Sequence, residues 1–235
     1  MGRIRGILFD YGHTLVWFPK YKQAHMTASR NVQLVLRGLG VSVGVSKVRG
    51  LIESYVPRAD GTSVSVEEAK GILVSAGVEF FTQNDLLRVI EAEWKPYIMN
   101  VRLRKGVREV LDCSKKMKLK LGVVANIWSG GMNPVLARLG IEDFFNTTVA
   151  DMDVGFAKPD PRIFRLALGN LRLAPEQVMM VGDNPKTDIK GAHDLGMVTV
   201  RLMRGPNRTQ PDCVETDFKI RNFSTLVSII DRLSG

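Results

Sequence analysis

Four residues scattered along this 235-residue chain carry the charges from which a catalytic centre can be built: Asp10, Lys158, Asp183 and Asp188. A strand is predicted over residues 4–9, ending at Asp10. A second, over 119–124, leads to Asn126, and a third, over 178–181, ends in Gly182-Asp183 with Asp188 five residues later. Lys158 opens a segment that leads into a helix. In open α/β sheets, ligands sit outside the carboxyl ends of the strands, so these groups converge on one sheet edge. Carboxylates held that close repel one another unless they share a cation, and their oxygens suit a hard ion such as Mg²⁺. Once neutralised, one carboxylate can act as a nucleophile while lysine and metal stabilise charge on the transferring group. Singly, Asp183 reads as a helix N-cap and Asp188 as a first-turn helix charge. The four together read as a site.

The elements that must position these residues are of two kinds. From about residue 22 to 95 the apolar spacing is helical. Met26, Val32, Val35, Leu36 and Leu39 share one face, Val48, Leu51, Ile52 and Tyr55 another, and Leu86, Leu87, Val89, Ile90 and Trp94 a third. Ser65–Glu68 has the S-x-x-E form of a capping box, and a further helix starts at Thr82–Asp85. Gly40, Gly44, residues 57–61 and Gly77 punctuate these helices. From residue 101 onward, helices and strands alternate. Helices are expected over 106–117, 134–139, 162–168, 187–195 and 224–233, with Asp160 as an N-cap and Pro161 at the first helical position. Strands are expected over 119–124, 147–150, 178–181, 198–202 and 218–220. Such alternation implies parallel pairing through right-handed crossovers, hence an α/β fold with a doubly wound, Rossmann-like sheet. The reading is a core of residues 1–15 and 101–235, split after its first strand by a helical-bundle cap domain of residues 16–100.

FDYGHTL at 9–15, VVANIW at 123–128, the Lys158-Pro159 pair of FAKPDPRIF, and VGDNPKTDIKGAHDLGM at 181–197 resemble, in order, the four motifs of the haloacid dehalogenase superfamily of hydrolases. The resemblance spans essentially the whole chain, and the helical insert falls where that superfamily places its cap. The fourth motif is the most specific, the Lys-Pro pair less so, and the second motif least. The resemblance implies a Mg²⁺-dependent phosphatase that acts on a small phosphorylated compound through an aspartyl-phosphate on Asp10. It implies Asp10 as nucleophile and metal ligand, Gly12 as a backbone-carbonyl ligand, and Asp183 and Asp188 as further acidic groups at the metal. Lys158 would neutralise Asp10 and the substrate phosphoryl. Backbone N–H groups around Tyr11 and Asn126 would hold phosphoryl oxygens as a small nest.

Two positions depart from the superfamily's pattern. Gly12 stands where its phosphatases carry a second aspartate, the general acid and base, and Ala125 where they carry a phosphoryl-binding Ser or Thr. Loss of a general acid/base typically costs on the order of 10²–10⁴ in rate, so weakened activity is expected. His13 offers an imidazole beside the first vacancy, against the plainer reading of a loop histidine packed under the cap. Trp128 and Ser129 follow the second motif and could replace lost contacts. The alternatives are a phospho-ligand binding protein of weakened activity and a phosphonatase-like or dehalogenase-like hydrolase. The phosphonatase needs a cap lysine, from among Lys20, Lys22, Lys47, Lys70 and Lys95. Superfamily dehalogenases work without metal and alter the Gly-Asp that is intact here, which counts against that reading.

The formal charge of +9 attracts anions in general. The cations (Lys20, Lys22, Arg30, Arg37, Arg201, Arg204 and Arg208 among them) are scattered, with no basic tail and no nucleic-acid-binding signature, so a solvated basic surface is expected and no nucleic-acid partner. No apolar run approaches the roughly 18 residues of a membrane span. The basic start lacks the longer apolar region of a signal peptide. Cys113 and Cys213 have no metal-ligand spacing and read as incidental thiols of a reducing compartment. The expected setting is cytoplasmic, with a small phosphorylated substrate and no membrane partner.

Overall fold

The structure, a computed structural model, describes residues 3–55, 65–127 and 129–234. The chain divides into two compact units, one of residues 1–17 and 103–235, the other of residues 18–102. Along the chain the elements are β1 (Gly6–Phe9), β2 (Val16–Trp17), α1 (Tyr21–Gly38), α2 (Val45–Tyr55), α3 (Val66–Ala76), α4 (Gln83–Asn100), β3 (Arg102–Leu103), α5 (Val107–Lys116), β4 (Lys120–Ala125), α6 (Ser129–Arg138), β5 (Thr147–Ala150), α7 (Asp151–Val154), α8 (Pro161–Leu171), β6 (Val178–Gly182), α9 (Lys190–His193), β7 (Val198–Leu202), β8 (Phe218–Ile220) and α10 (Phe223–Ser234).

In the first unit, six parallel strands form one sheet in the order β5-β4-β1-β6-β7-β8. Strands β1 and β6 are apolar throughout, and β4 is apolar after Lys120, because both faces of a parallel sheet are covered. Ile7, Leu8 and Phe9, Val123 and Val124, and Met179, Met180 and Val181 are all fully buried. On one face Leu8, Val124, Val149 and Met180 pack with Ile163, Phe164, Ala167, Leu168 and Leu171 of α8. Each of the larger of these side chains removed from water contributes roughly 1.5–3 kcal/mol. As expected, α8 begins at Pro161, with the Asp160 carboxylate accepting from the Arg162 N–H at 2.9 Å.

Two local expectations change, and one short element is new. α6 starts at Ser129 rather than 134, because burial of Met132, Val135 and Leu136 outweighs the weak helix propensity of Gly130-Gly131. The helix expected over 187–195 is instead a wide π-type turn over Pro185–Ile189 followed by the single turn of α9, with the Ile189 N–H reaching back to the Asn184 carbonyl at 3.3 Å. The one-turn α7 follows β5 directly, a segment too short and polar to show a helical period.

The second unit is a bundle in which α1 packs on α2 and α4, α2 on α3, and α3 on α4. Its core includes Val32, Leu36, Val48, Ile52, Ile72, Leu73, Val89, Ile90 and Trp94. Ser65 and Thr82 both make capping boxes, with Glu68 and Asp85 respectively. The turn expected at 57–61 lies outside the described residues. Among the described residues no helix is long and apolar enough to cross a membrane.

Candidate active site

Strand register brings the charged residues together. Phe9 pairs with Val123 of β4 and Val181 of β6, and the Asp10 N–H donates to the Val181 carbonyl at 2.9 Å. Asp10 therefore leaves the sheet level with Val124 and Gly182, flanked by Ala125-Asn126 on one side and Asp183 on the other. The Lys158 ammonium lies 2.7 Å from Asp10 Oδ1 and 2.6 Å from Asp188 Oδ1, and is 4% exposed. Its backbone is clamped by one side chain. The Lys158 N–H donates to Asn126 Oδ1 at 2.8 Å, and Asn126 Nδ2 donates to the Lys158 carbonyl at 3.1 Å. The Asn126 side chain thus sets where the lysine stands, just before the cis peptide bond to Pro159.

Asp10, Asp183 and Asp188 are buried, and each offers an oxygen within 4.8 Å of the others. Burial pushes the Asp10 carboxyl up to about 7, the Lys158 charge pulling against it and Asp188 adding to it. Burial, then the charges of Asp10 and Asp188, push Asp183 up to about 8. Burial alone would depress Lys158, but the two carboxylates it touches hold it above the usual lysine range. Fully ionised, three carboxylates against one ammonium would leave an excess of two negative charges, and Asp10 Oδ2 is buried with no hydrogen-bond partner. An orphaned oxygen among oxygen-only donors fits a hard divalent cation.

Gly182 is required by this packing. A methyl group there would overlap the Cβ and carboxylate of Asp188. Asp188 is held in turn by the Asn184 N–H, which donates to its Oδ2 at 3.0 Å and leaves Oδ1 for Lys158.

The family model of haloacid dehalogenase-like hydrolases matches residues 62–202. The chain belongs to that family. Across 98% of its length it is 36% identical to 99% of a Methanopyrus kandleri protein named glyceraldehyde 3-phosphate phosphatase. It is 27% identical, over 98% of both chains, to a protein of the same name from Methanocaldococcus jannaschii. The crystal structure of a haloacid dehalogenase phosphatase from Thermococcus onnurineus shares the fold, with a TM-score of 0.70 over 97% of this chain and 98% of that one at 21% identity.

In this haloacid dehalogenase-like chain the segment after β7 adds a layer that its sequence did not reveal. Asn207, 3% exposed, donates from Nδ2 to Asp183 Oδ2 at 3.0 Å. Its Oδ1 accepts from Gln210 Nε2 at 2.7 Å, and its carbonyl accepts from an Arg201 guanidinium nitrogen at 2.8 Å. Arg201, expected among the scattered surface cations, is instead 1% exposed. It pairs with Asp212, which also meets Lys219 at 2.5 Å, and donates to the Gln210 carbonyl at 2.7 Å. Gly205 sits at a φ of +79°, and a Cβ on it would lie 3.1 Å from His13 Cβ and 3.2 Å from Asp183 Oδ2. A Gly-Pro-Asn turn just past the carboxyl end of a strand was the available signal.

The remaining predicted residues stand on the loop after β1 or at the end of β4. Tyr11 is 1% exposed, so any part it takes in binding comes through its backbone, whose carbonyl accepts from the Leu15 and Val16 N–H groups at 3.0 and 3.1 Å. Gly12 follows it. His13 takes a φ of 59°, and its carbonyl accepts from an Arg104 guanidinium nitrogen at 2.6 Å. Ala125 is buried and brings no hydroxyl to the edge. Trp128 and the side chain of Ser129 lie outside the described residues.

Proposed function

We propose that the chain is a Mg²⁺-dependent phosphatase for a small phosphorylated compound, with Asp10 as nucleophile. The observation that carries this reading is the Lys158 ammonium seated within ion-pair distance of both Asp10 and Asp188, with Asp183 at the same edge. Asp10, Asp183, Asp188 and the Gly12 carbonyl would hold the ion, which when bound neutralises the carboxylates and polarises the phosphoryl group. Lys158 opposes the effect of burial on Asp10 and fixes the carboxylate through Oδ1, and the bound ion would favour its ionised form. The Asp10 carboxylate attacks phosphorus, the bond from phosphorus to the leaving oxygen breaks, and water then hydrolyses the aspartyl-phosphate. Backbone N–H groups at Tyr11 and Asn126 hold the phosphoryl oxygens. Residue 12 carries no acid, so turnover favours leaving groups that depart without a proton.

The unit of residues 18–102 serves as the cap that chooses the substrate. The enzyme works in the cytoplasm, a reading supported by the free thiols of Cys113 and Cys213. The names of the Methanopyrus and Methanocaldococcus relatives make D-glyceraldehyde 3-phosphate the first natural substrate to test. The experiment is hydrolysis of p-nitrophenyl phosphate and of D-glyceraldehyde 3-phosphate with Mg²⁺, with EDTA, and by Asp10→Asn. Turnover lost on chelation and in Asp10→Asn is expected. Absence of turnover while Mg²⁺ still binds would sink the proposal.

A further inference from the structure

The first unit also holds a cavity of about 730 Å³ whose lining includes none of Asp10, Lys158, Asp183 and Asp188. Its cations are Arg104, Lys105, Arg204 and Arg221, against the single carboxylate of Glu109, and its aromatic walls are Trp17 and Phe223. Among the described residues none of the four cations pairs with a carboxylate, whereas the neighbouring Arg201 has Asp212. The Arg204 Nε donates to the Arg221 carbonyl at 2.6 Å, which holds that side chain beside Arg221. Burial holds Arg104 below the ordinary arginine range, the charge of Asp183 opposing this and the smaller effect of Arg204 adding to it, and its Nε is buried without an acceptor. At the same wall α5 starts from Gly106, which has no side chain to cap the first-turn amides. Gathered, unpaired guanidinium groups repel one another, and a shared anion removes that repulsion. Their planar donor forks match phosphate oxygens, and an uncapped helix start adds positive potential. The volume lies within the range of small-molecule sites, and Trp17, 42% exposed, presents a face on which a flat ring can stack.

We propose that this cavity is an accessory site for a nucleoside phosphate, its phosphates on Arg104, Arg204 and Arg221 and its base against Trp17. The site shares no lining residue with the four charged groups of the carboxylate edge but borders it, and Arg104 links it to the loop carrying Asp10 through the His13 carbonyl.

The test is calorimetric titration of ADP into the full chain in EDTA, where the carboxylate site cannot turn over, with pyrophosphate as a second probe. Saturable ADP binding is expected in the wild type and in Asp10→Asn. It should weaken by about 10-fold or more in Arg204→Glu and in Arg221→Glu, two exposed positions whose charge reversal leaves the core intact. Pyrophosphate, lacking a base to stack, should bind about 10-fold more weakly than ADP. Absence of saturable ADP binding overturns the proposal, as does binding that survives both reversals or is lost in Asp10→Asn. Pyrophosphate binding as tight as ADP overturns the assignment of a nucleoside ligand.

Discussion

At the scale of single residues, the charges of the site are complete while its acid is absent. Asp10, Lys158, Asp183 and Asp188 form one ion cluster, yet residue 12 is Gly and residue 125 is Ala. The missing acid acts on the leaving group, so its effect depends on the substrate. Gly12→Asp should raise kcat/KM for an alkyl phosphate on the order of 10²-fold while changing p-nitrophenyl phosphate hydrolysis much less. The ratio of the two rates, measured in both proteins with saturating Mg²⁺, checks this, and an unchanged ratio would show that residue 12 is not where the acid is missing. The four charged residues were legible in the sequence because Asp10 and Asp183 directly follow strands, and Lys158 and Asp188 stand in the segments beside them, where only a site explains several charges together. The double hydrogen bond from Asn126 to the Lys158 backbone was not, because it joins residues 32 apart and leaves no local pattern.

At the scale of elements, strands were legible and irregular turns were not. The runs over 147–150, 198–202 and 218–220 form strands with those bounds, each a short run rich in β-branched or aromatic residues set between helices and turns. The segment after Asp183 departs from a regular helix because the Asp188 carboxylate takes the Asn184 N–H and the chain opens into a wide turn, and neither effect alters apolar periodicity. The turn from Gly205 to Gln210 carries no apolar period that marks burial, yet its Asn207 is buried against Asp183. Asn207 donates to Oδ2 of Asp183 and so fixes the orientation of that carboxylate. Groups that orient a metal-binding side chain typically contribute 10–100-fold to affinity, so Asn207→Ala should weaken Mg²⁺ binding by about 10-fold or more. Calorimetric titration of the metal, with circular dichroism to show an intact fold, measures this. Unchanged affinity would mean that Asp183 is held by its burial alone.

At the scale of the whole molecule, a chain of net charge +9 buries three carboxyl groups and one ammonium at one sheet edge, and this couples stability to pH and to metal. Asp10 and Asp183 rise from an ordinary value of 3.8 to about 7 and about 8 in the metal-free fold. Between those limits the folded chain binds more protons at these two groups than the unfolded chain does. Their contribution to stability is therefore fully present at low pH and is lost as pH rises from about 4 toward 8. A divalent cation takes the same oxygens in their ionised form and competes with those protons, so its affinity climbs over the same window. The increase in melting temperature on adding Mg²⁺ should be small near pH 5, grow through pH 7 and level off above about pH 8. At about 100 times the dissociation constant the gain approaches about 2.7 kcal/mol. Thermal melts across this range with Mg²⁺ and with EDTA, repeated on Asp183→Asn, give the comparison. The wild type should show a metal-dependent gain that grows with pH, and the variant a smaller and flatter one. An equal gain at pH 5 and pH 8 in the wild type would place the ion on groups other than these buried carboxylates.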